Sequence, residues 1–397
     1  MSVAAALNGV VLGYAPMIDR HRAVTALRLT LTPSRPNVLP DAATLLAALA
    51  EFWPLEAGRL SLNIASEALL AAVLQESPAL NLMIEVPGFM VADPACADAL
   101  TALHRHGSAI LIKGRPQAPL PAAVLACLAY SIIDQSDERR DGQPPPGGQA
   151  RQVPHVQSGV TDLHDMTEAF ARGAIAVLGW PLGEPPQASP GKAARAPEIQ
   201  TIIELINRVD RKEPIDRIEA VLKLDPTLAF RLMRYINSPA FGLRVEVSSF
   251  RHAVLMLGYD RLKRWLALLM VSGSRDPDLK PLVYAAVRRG LLMEELARDN
   301  AEEAQRGELF ICGVFSLLDR MLGQPFAALL NAIPVADTVR AALLDADGPH
   351  APYLCLVRAL ESADAYDIRQ CADALMMGLP EVNRALLRAL LAARDLD

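Results

Sequence analysis

Residues 218–270 read IEAVLKLDPTLAFRLMRYINSPAFGLRVEVSSFRHAVLMLGYDRLKRWLALLM, and this stretch decides the fold of the second half of the chain. Asp225 can cap a helix that begins at Pro226, where a missing N–H has no cost. Asn237-Ser238-Pro239 ends that helix, because a proline ring cannot continue it. The leucines between these two signals recur at helical spacing, so the segment predicts a short helix with one buried face.

Two further helices follow within the same stretch. The Ser248-Ser249 pair offers a second cap, and Gly258 is expected to end the second helix with a positive φ. Asp260 can cap a third helix, whose buried face includes Trp265. Three short helices with explicit stops predict a compact bundle rather than a coiled coil.

The run LDPTLAFRLMRYINSPAFG, followed by SSFRHAVLMLGYDRLKRWL, resembles the signature of HDOD domains. Those domains are helical relatives of HD-type phosphohydrolases that have lost the metal-binding residues. The resemblance implies a protein-docking module. Its signature and candidate docking residues are Asp225, Pro226, Asn237, Ser238, Arg251, Gly258, Arg261, Arg264 and Trp265.

The charge of this stretch could suggest DNA binding. Seven Lys or Arg and three Asp or Glu stand between Asp225 and Arg264, and a helix, a tight turn and a basic helix follow one another there. The last helix, however, is expected to bury Leu262, Trp265 and Leu266, which leaves few side chains for base edges. We therefore expect no direct DNA binding, and we favour a docking surface or a solvated basic face.

Composition limits the class of protein. The chain has 397 residues, 52% of them hydrophobic and 21% charged, which indicates two or three globular domains. A net charge of −6 argues against a nucleic-acid binder. Five scattered cysteines without a C-x-x-C pair favour reduced thiols and a cytoplasmic location. Neither a signal peptide nor a membrane span is recognisable.

The first half alternates short apolar strands with helices, which predicts a β/α barrel or an open doubly wound sheet. A segment rich in proline and glycine interrupts the chain before an almost entirely helical region. We therefore predict three parts: a β/α domain at 1–185, a linker at 186–197 and an all-helical domain at 198–397.

Four segments of the first half resemble the EAL domain, a β/α barrel that hydrolyses cyclic di-GMP in bacteria: YAPMIDRHRAV, SLNIAS, LMIEVPG and HGSAILIKG. A closing segment, TEAFARGAIAVLGWPL, follows in the family's order. The resemblance covers roughly residues 8–185, which is shorter than a usual barrel of ~250 residues. It implies a degenerate barrel and leaves its completeness open.

The departures from the EAL pattern fall on the site. Arg28 stands where the family has a metal-binding glutamate, while Asn63 and Glu85 match two ligand positions. Lys113 replaces an aspartate, and Ile132 stands where the family has its catalytic lysine. Because Mg²⁺ and Mn²⁺ need several carboxylate oxygens, we predict no metal and no catalytic residue here.

The helical half departs from its catalytic relatives in the same way. HD enzymes present a histidine on one helix and His-Asp on a later one. The corresponding regions here contain Arg288-Arg289 and Ser316-Leu317-Leu318-Asp319. No His and Asp set has metal-ligand spacing. The HD dipeptide His164-Asp165 lies in the β/α half, where it reads better as the start of a helix.

The sequence therefore predicts a bacterial, cytoplasmic EAL-and-HDOD signalling protein that is not an enzyme and needs no cofactor. Its first predicted role is regulation through contact with regulatory or signalling proteins, with a homo-oligomer left open and no membrane involved. The alternative is a sensor that binds cyclic di-GMP in the barrel without cleaving it. Residual phosphodiesterase activity is the third hypothesis.

Overall fold

The computed structural model describes residues 7–35, 38–116, 119–140, 153–184, 197–222, 250–272, 277–331, 333 and 335–394. The predicted signature residues Asp225, Pro226, Asn237 and Ser238 lie outside these ranges, as does most of the predicted linker. The chain forms two compact units. One unit contains Met1–Gly183 with Cys355–Leu391, and the other contains Glu184–Leu354 with Ala392–Asp397.

The first unit is built around a closed barrel of eight strands. β1 runs antiparallel to both of its neighbours, β2 and β8, and the other neighbouring strands are parallel. The strands are β1 (Val10–Asp19), β2 (Val24–Pro33), β3 (Arg59–Ile64), β4 (Leu82–Pro87), β5 (Ile110–Lys113), β6 (Leu128–Asp134), β7 (His155–Ser158) and β8 (Ala176–Leu178). The sequence left open whether the barrel is complete. In the structure its eight strands form a closed barrel.

Helices follow most of the parallel strands, as the alternating sequence pattern predicts. They are α1 (Ala42–Phe52), α2 (Glu67–Val73), α3 (Gly88–Val91), α4 (Pro94–His106), α5 (Ala122–Leu125), α6 (Gln135–Arg140) and α7 (Leu163–Ala171). Several begin at side-chain caps: Asp41 accepts from the Thr44 amide, and Asp162 accepts from the Asp165 amide. The HD dipeptide His164-Asp165 therefore lies in the first turn of α7, as predicted.

The strands alternate between two environments. On β2, Leu27, Leu29 and Leu31 are buried on the outward side, beneath the helices. The inward side begins with an apolar layer to which Met17, Ala26, Met83, Leu111, Ile132, Val156, Ala176 and Leu178 contribute. Further along the same inward-facing rows, polar side chains replace apolar ones, and these form the site described below.

The remaining helices follow the barrel strands in sequence: α8 (Pro197–Asp210), α9 (Ile215–Leu222), α10 (Phe250–Ser272), α11 (Lys280–Leu296), α12 (Glu303–Phe315), α13 (Leu318–Leu322), α14 (Phe326–Leu329), α15 (Asp337–Leu344), α16 (Ala351–Ser362), α17 (Ala365–Ala374) and α18 (Leu379–Arg394). Among the described helices, none combines the length and apolar character needed to cross a bilayer.

Two glycine features shape the helical unit. Gly258 interrupts α10 with φ 71° and ψ 172°, so the positive φ is as predicted while ψ is extended rather than left-handed helical. α11 and α12 touch backbone to backbone, since a Cβ on Gly313 would lie 2.5 Å from the Gly290 nitrogen. Larger residues at this crossing would force the two helices apart.

The C-terminal segment 355–391 packs with the barrel, although it falls within the helical domain predicted from the sequence. Asn383 of α18 donates from Nδ2 to the carbonyl oxygens of Leu7 and Val10 and accepts from the Leu12 amide. β8 pairs with β1 only from Met17 to Asp19, so no strand in the described part of the chain pairs with the opposite end of β1 on that side. Asn383 satisfies backbone groups that a neighbouring strand would otherwise bind.

The cysteines differ from the sequence-based prediction. Cys355 of α16 and Cys371 of α17 are joined as a disulfide, with their Cα atoms 6.2 Å apart. The prediction of five reduced thiols is therefore wrong for this pair. Spacing along the chain did not reveal it, because the two residues meet only when α16 and α17 fold back on each other.

Candidate functional site at the strand ends of the barrel

Four polar residues from four adjacent strands form what we call the strand-end cluster: Arg28, Asn63, Glu85 and Lys113. They project from β2, β3, β4 and β5 towards the carboxyl ends of the parallel strands. In β/α barrels this end carries the functional residues, because the strand-to-helix loops converge there. The sequence predicted all four positions, and the structure brings them together.

A buried ion pair anchors one side of the cluster. Arg28 Nη2 lies 2.5 Å from Glu85 Oε2, and Ser61 Oγ donates to the other carboxylate oxygen at 2.8 Å. Glu85 is only 1% exposed, so its charge needs these partners. Ser61 was not recognised in the sequence, although its place on β3 two residues before Asn63 puts both side chains on the same face.

A second pair completes the cluster. Lys113 Nζ donates to Asn63 Oδ1 at 2.7 Å, and Asn63 Nδ2 donates to Thr30 Oγ1 at 3.2 Å. The pKa of Lys113 is lowered, first by burial and also by the nearby positive charge of Arg28, while Glu85 acts in the opposite direction. The ammonium group is therefore held close to a second cation at the barrel mouth.

The donor set does not fit the divalent ions that the EAL resemblance implies. The one carboxylate of the cluster is occupied by a guanidinium and a hydroxyl, and the amide oxygen of Asn63 is occupied by an ammonium. Mg²⁺ and Mn²⁺ need several free oxygen ligands. Among the residues that the structure describes, no group of three or more His, Cys, Asp or Glu is placed to hold a metal ion.

The last predicted position, Ile132, lies in the apolar layer of the barrel and pairs in register with Lys113. Its neighbour Asp134 was missed. Asp134 ends β6, accepts from Ser136 and from Ser158 Oγ, and has a lowered pKa because these hydrogen bonds outweigh the effect of burial. An acid directly after an apolar strand was the signal that could have revealed it.

In the helical unit, the two regions that correspond to the HD motif lie side by side. Arg289 Nη1 donates to Ser316 Oγ at 3.1 Å, and both residues are buried. Asp319 is also buried, and burial raises its pKa against the opposing effects of Arg320 and Arg289. A buried arginine, a serine and an aspartate thus occupy this part of the helical unit.

The predicted docking residues of α10 have different environments. Arg261 is 60% exposed and, among the residues that the structure describes, its ion-pair partner is Glu303, at 3.5 Å. Arg264 instead binds Glu294 through two hydrogen bonds of 2.5 and 2.6 Å and lies over the Phe310 ring. Arg264 is therefore partly buried in an ion pair between two helices, whereas Arg261 lies at an exposed position.

Two other predicted docking residues are placed as follows. Trp265 is 2% exposed and therefore supports the helix packing. Arg251 lies in α10, but its side chain is outside the described part of the chain.

Comparison with known proteins places the helical region in a family. The HDOD domain model matches residues 196–328. The chain contains an HDOD domain. Together with the eight-stranded barrel, which resembles the EAL fold, this domain gives the EAL-plus-HDOD architecture that the sequence predicted.

Two curated relatives match parts of the chain. The cyclic di-GMP phosphodiesterase CdgJ of Vibrio cholerae is 29% identical over 204 residues, which cover 51% of this chain and 47% of CdgJ. The uncharacterized protein YuxH of Bacillus subtilis is 27% identical over 163 residues, which cover 40% of each chain. The chain thus spans about half the length, or less, of these relatives.

Solved EAL structures are also similar. The EAL domain of Mycobacterium smegmatis DcpA matches with 19% identity and a TM-score of 0.31, covering 44% of this chain and 92% of DcpA's. The FimX EAL domain from Pseudomonas aeruginosa, bound to cyclic di-GMP, matches with 16% identity and a TM-score of 0.29, covering 47% and 98%.

The similarity to CdgJ corrects one sequence-based prediction. We predicted that the chain is not an enzyme, whereas a relative that aligns with half of it is named a cyclic di-GMP phosphodiesterase. Substituted ligand positions do not demonstrate a loss of activity. Whether the chain hydrolyses cyclic di-GMP therefore has to be tested by experiment.

Proposed function

We propose that this chain is a cyclic di-GMP signalling protein whose barrel binds the nucleotide at the strand-end cluster and whose HDOD domain contacts a protein partner. The observation that carries the proposal is that two cations, Arg28 and Lys113, lie near a single carboxylate at the mouth of an EAL-like barrel: Arg28 is paired with Glu85, and Lys113 binds the neutral Asn63. The cluster thus has one more positive than negative charge. The similarity to CdgJ supports cyclic di-GMP as the ligand.

A phosphodiester is the chemical group that such a cluster suits. Guanidinium and ammonium groups form charge-assisted hydrogen bonds with phosphate oxygens. Lys113 is the better candidate for the first contact, because Arg28 is already bound to Glu85. A phosphate near Lys113 would also offset the cost of holding its charge beside Arg28.

The protein-contact part of the proposal rests on α10. Leu255 is 65% exposed and Met256 is 50% exposed, and both precede the break at Gly258. Arg261 adds an exposed positive charge after the break. Exposed apolar side chains beside a charge are typical of protein-binding surfaces.

Calorimetric titration of the full chain with cyclic di-GMP tests the nucleotide part. We expect saturable binding that weakens about tenfold or more in Lys113→Ala, because one charge-assisted hydrogen bond is lost. Lys280→Ala removes an exposed lysine of α11 and should bind as the wild type does. A flat titration of the wild type would rule out the nucleotide-binding proposal.

The titrated samples are then analysed for hydrolysis products in the presence of Mg²⁺ and of Mn²⁺. Turnover that disappears in Glu85→Ala would identify the chain as a phosphodiesterase. Saturable binding supports the nucleotide part of the proposal with or without such turnover.

A further inference from the structure

The C-terminal hairpin, defined here as residues 355–374, contains the cysteine pair. It consists of the end of α16, a turn at Ala363 and Asp364, and α17. Cys355 and Cys371 stand 16 residues apart on the two sides of that turn, with a Cα separation of 6.2 Å. This separation lies within the range that a disulfide requires.

The hairpin is in direct contact with the first two strands. A Cβ on Gly13 of β1 would lie 2.4 Å from the Cβ of Ala363, so the turn packs directly on the strand backbone. From α17, Arg369 Nη2 donates to the carbonyl oxygens of Pro33 and Ser34, at 3.3 and 2.7 Å. The disulfide therefore fastens together the two helices that hold the hairpin on β1 and β2.

We propose that Cys355 and Cys371 form a reversible dithiol–disulfide couple that sets how firmly the C-terminal hairpin is held on the barrel. With a peroxide as oxidant, the two thiols give up two protons and two electrons, the S–S bond forms, and hydrogen peroxide becomes two water molecules. A small dithiol such as dithiothreitol reverses the step by thiol–disulfide exchange and is itself oxidised to a disulfide.

The other cysteines are placed so that an oxidant selects this pair. Cys355 lies at an exposed position, where a reagent can reach it, and Cys371 is close enough to complete the bond. Cys127 and Cys312 are buried. Cys96 is half-buried, and its pKa is raised by burial and by Asp93, so it forms less of the reactive thiolate.

The test compares the full chain after treatment with dithiothreitol and after treatment with hydrogen peroxide. Peptide mapping under non-reducing conditions should show residues 355 and 371 linked in the oxidised sample only. The barrel transition should melt about 5 °C higher when oxidised, because the bond restricts the unfolded chain. Backbone amides of β1 and the hairpin should exchange hydrogen more slowly in the same sample.

Two variants complete the test. Cys96→Ser should keep the redox shift in melting temperature, whereas Cys355→Ser should lose it. The comparison of oxidised and reduced wild type stands by itself if Cys355→Ser folds poorly. Two outcomes would overturn the proposal: alkylation of both hairpin cysteines after peroxide treatment, or equal melting and exchange of the linked and reduced proteins. Neither outcome depends on nucleotide binding.

Discussion

The side-chain amide of Asn383 and the backbone amide of Leu12 are hydrogen-bonded at 3.2 Å, although 371 residues separate them. The same side chain also binds the carbonyl groups of Leu7 and Val10. One asparagine side chain thus binds three backbone groups, two at the start of β1 and one just before it. It is itself fully buried, so water cannot replace it.

We expect Asn383→Leu to destabilise the barrel by roughly 2–4 kcal/mol, because three buried backbone groups lose their partner. Asn207→Ala is the control, since Asn207 is half-buried and its side-chain partner among the described residues is the Ile203 carbonyl. Hydrogen exchange at Leu12 measures the effect locally. Unchanged protection of that amide in Asn383→Leu would contradict the role assigned to the asparagine.

Gly258→Ala tests backbone strain at the break in α10. A Cβ at this position would meet none of the described residues within 4 Å, so we attribute the expected cost to the positive φ rather than to a clash. We expect the free energy of unfolding to fall by about 1 kcal/mol or more in Gly258→Ala, and by a larger amount in Gly258→Val.

Gly307→Ala is the matched control, because it also has open space around it but lies in α12 without a positive φ. We expect it to be neutral or slightly stabilising. Chemical denaturation of both variants separates the two effects, and equal stability would show that the break tolerates a side chain.

Arg264→Glu should destabilise the helical unit by roughly 1–3 kcal/mol, because it removes two hydrogen bonds to Glu294 and places two carboxylates face to face. Arg261→Glu should change stability by less than about 0.5 kcal/mol, since its pair with Glu303 is exposed. The charge swap Arg264→Glu with Glu294→Arg should recover part of the loss. Thermal unfolding of the variants measures whether Arg264→Glu is the least stable, Arg261→Glu the most stable and the charge swap intermediate.

Arg28→Met should destabilise the barrel by about 3 kcal/mol or more, because it leaves the buried Glu85 carboxylate without its cation. The double variant Arg28→Met with Glu85→Gln should recover most of this loss, since a neutral glutamine can still accept from Ser61. Hydrogen exchange along β4 reports on this part of the barrel. Failure of the double variant to recover would mean that the ion pair is not the source of the effect.

The lowered pKa of Lys113 gives the barrel a pH dependence with a defined sign. Between the folded pKa and the ordinary value near 10.5, the unfolded chain holds a proton on this lysine that the folded chain lacks. The free energy of unfolding therefore rises with pH through that window. Lys113→Met should lose this rise, and Lys280→Met should keep the wild-type profile, in urea unfolding from about pH 7 upwards.

Local signals in the sequence predicted the elements well. Asp162 and Gly258 act within one or two turns of their own helix. The helix cap at Asp162 and the helix break at Gly258 could therefore be predicted directly from the sequence. Strand-to-helix alternation left a barrel and an open doubly wound sheet as alternatives, and it predicted neither the antiparallel β1 nor the closure by β8. The family resemblance located the four cluster residues in the sequence. They lie close together in the structure because strand ends converge at one face of a barrel.

Contacts between distant segments were not predictable in the same way. Arg264 looked like a solvated charge because its partner Glu294 lies on another helix. The pairing of Cys355 with Cys371 depends on how two helices turn back on each other. Asn383 carries no motif at all, and only the fold shows which backbone groups it meets. Each of these features depends on tertiary geometry, which composition and periodicity do not reveal.

The return of residues 355–391 to the barrel has a consequence for biosynthesis. The eight strands have all been synthesised once Leu178 is added, but the helices that cover the β1 edge are made only after residues 184–354. At roughly 5–20 residues per second, this interval lasts about ten to thirty seconds. During that time the nascent barrel presents an open strand edge, which is the surface that chaperones and aggregating neighbours bind.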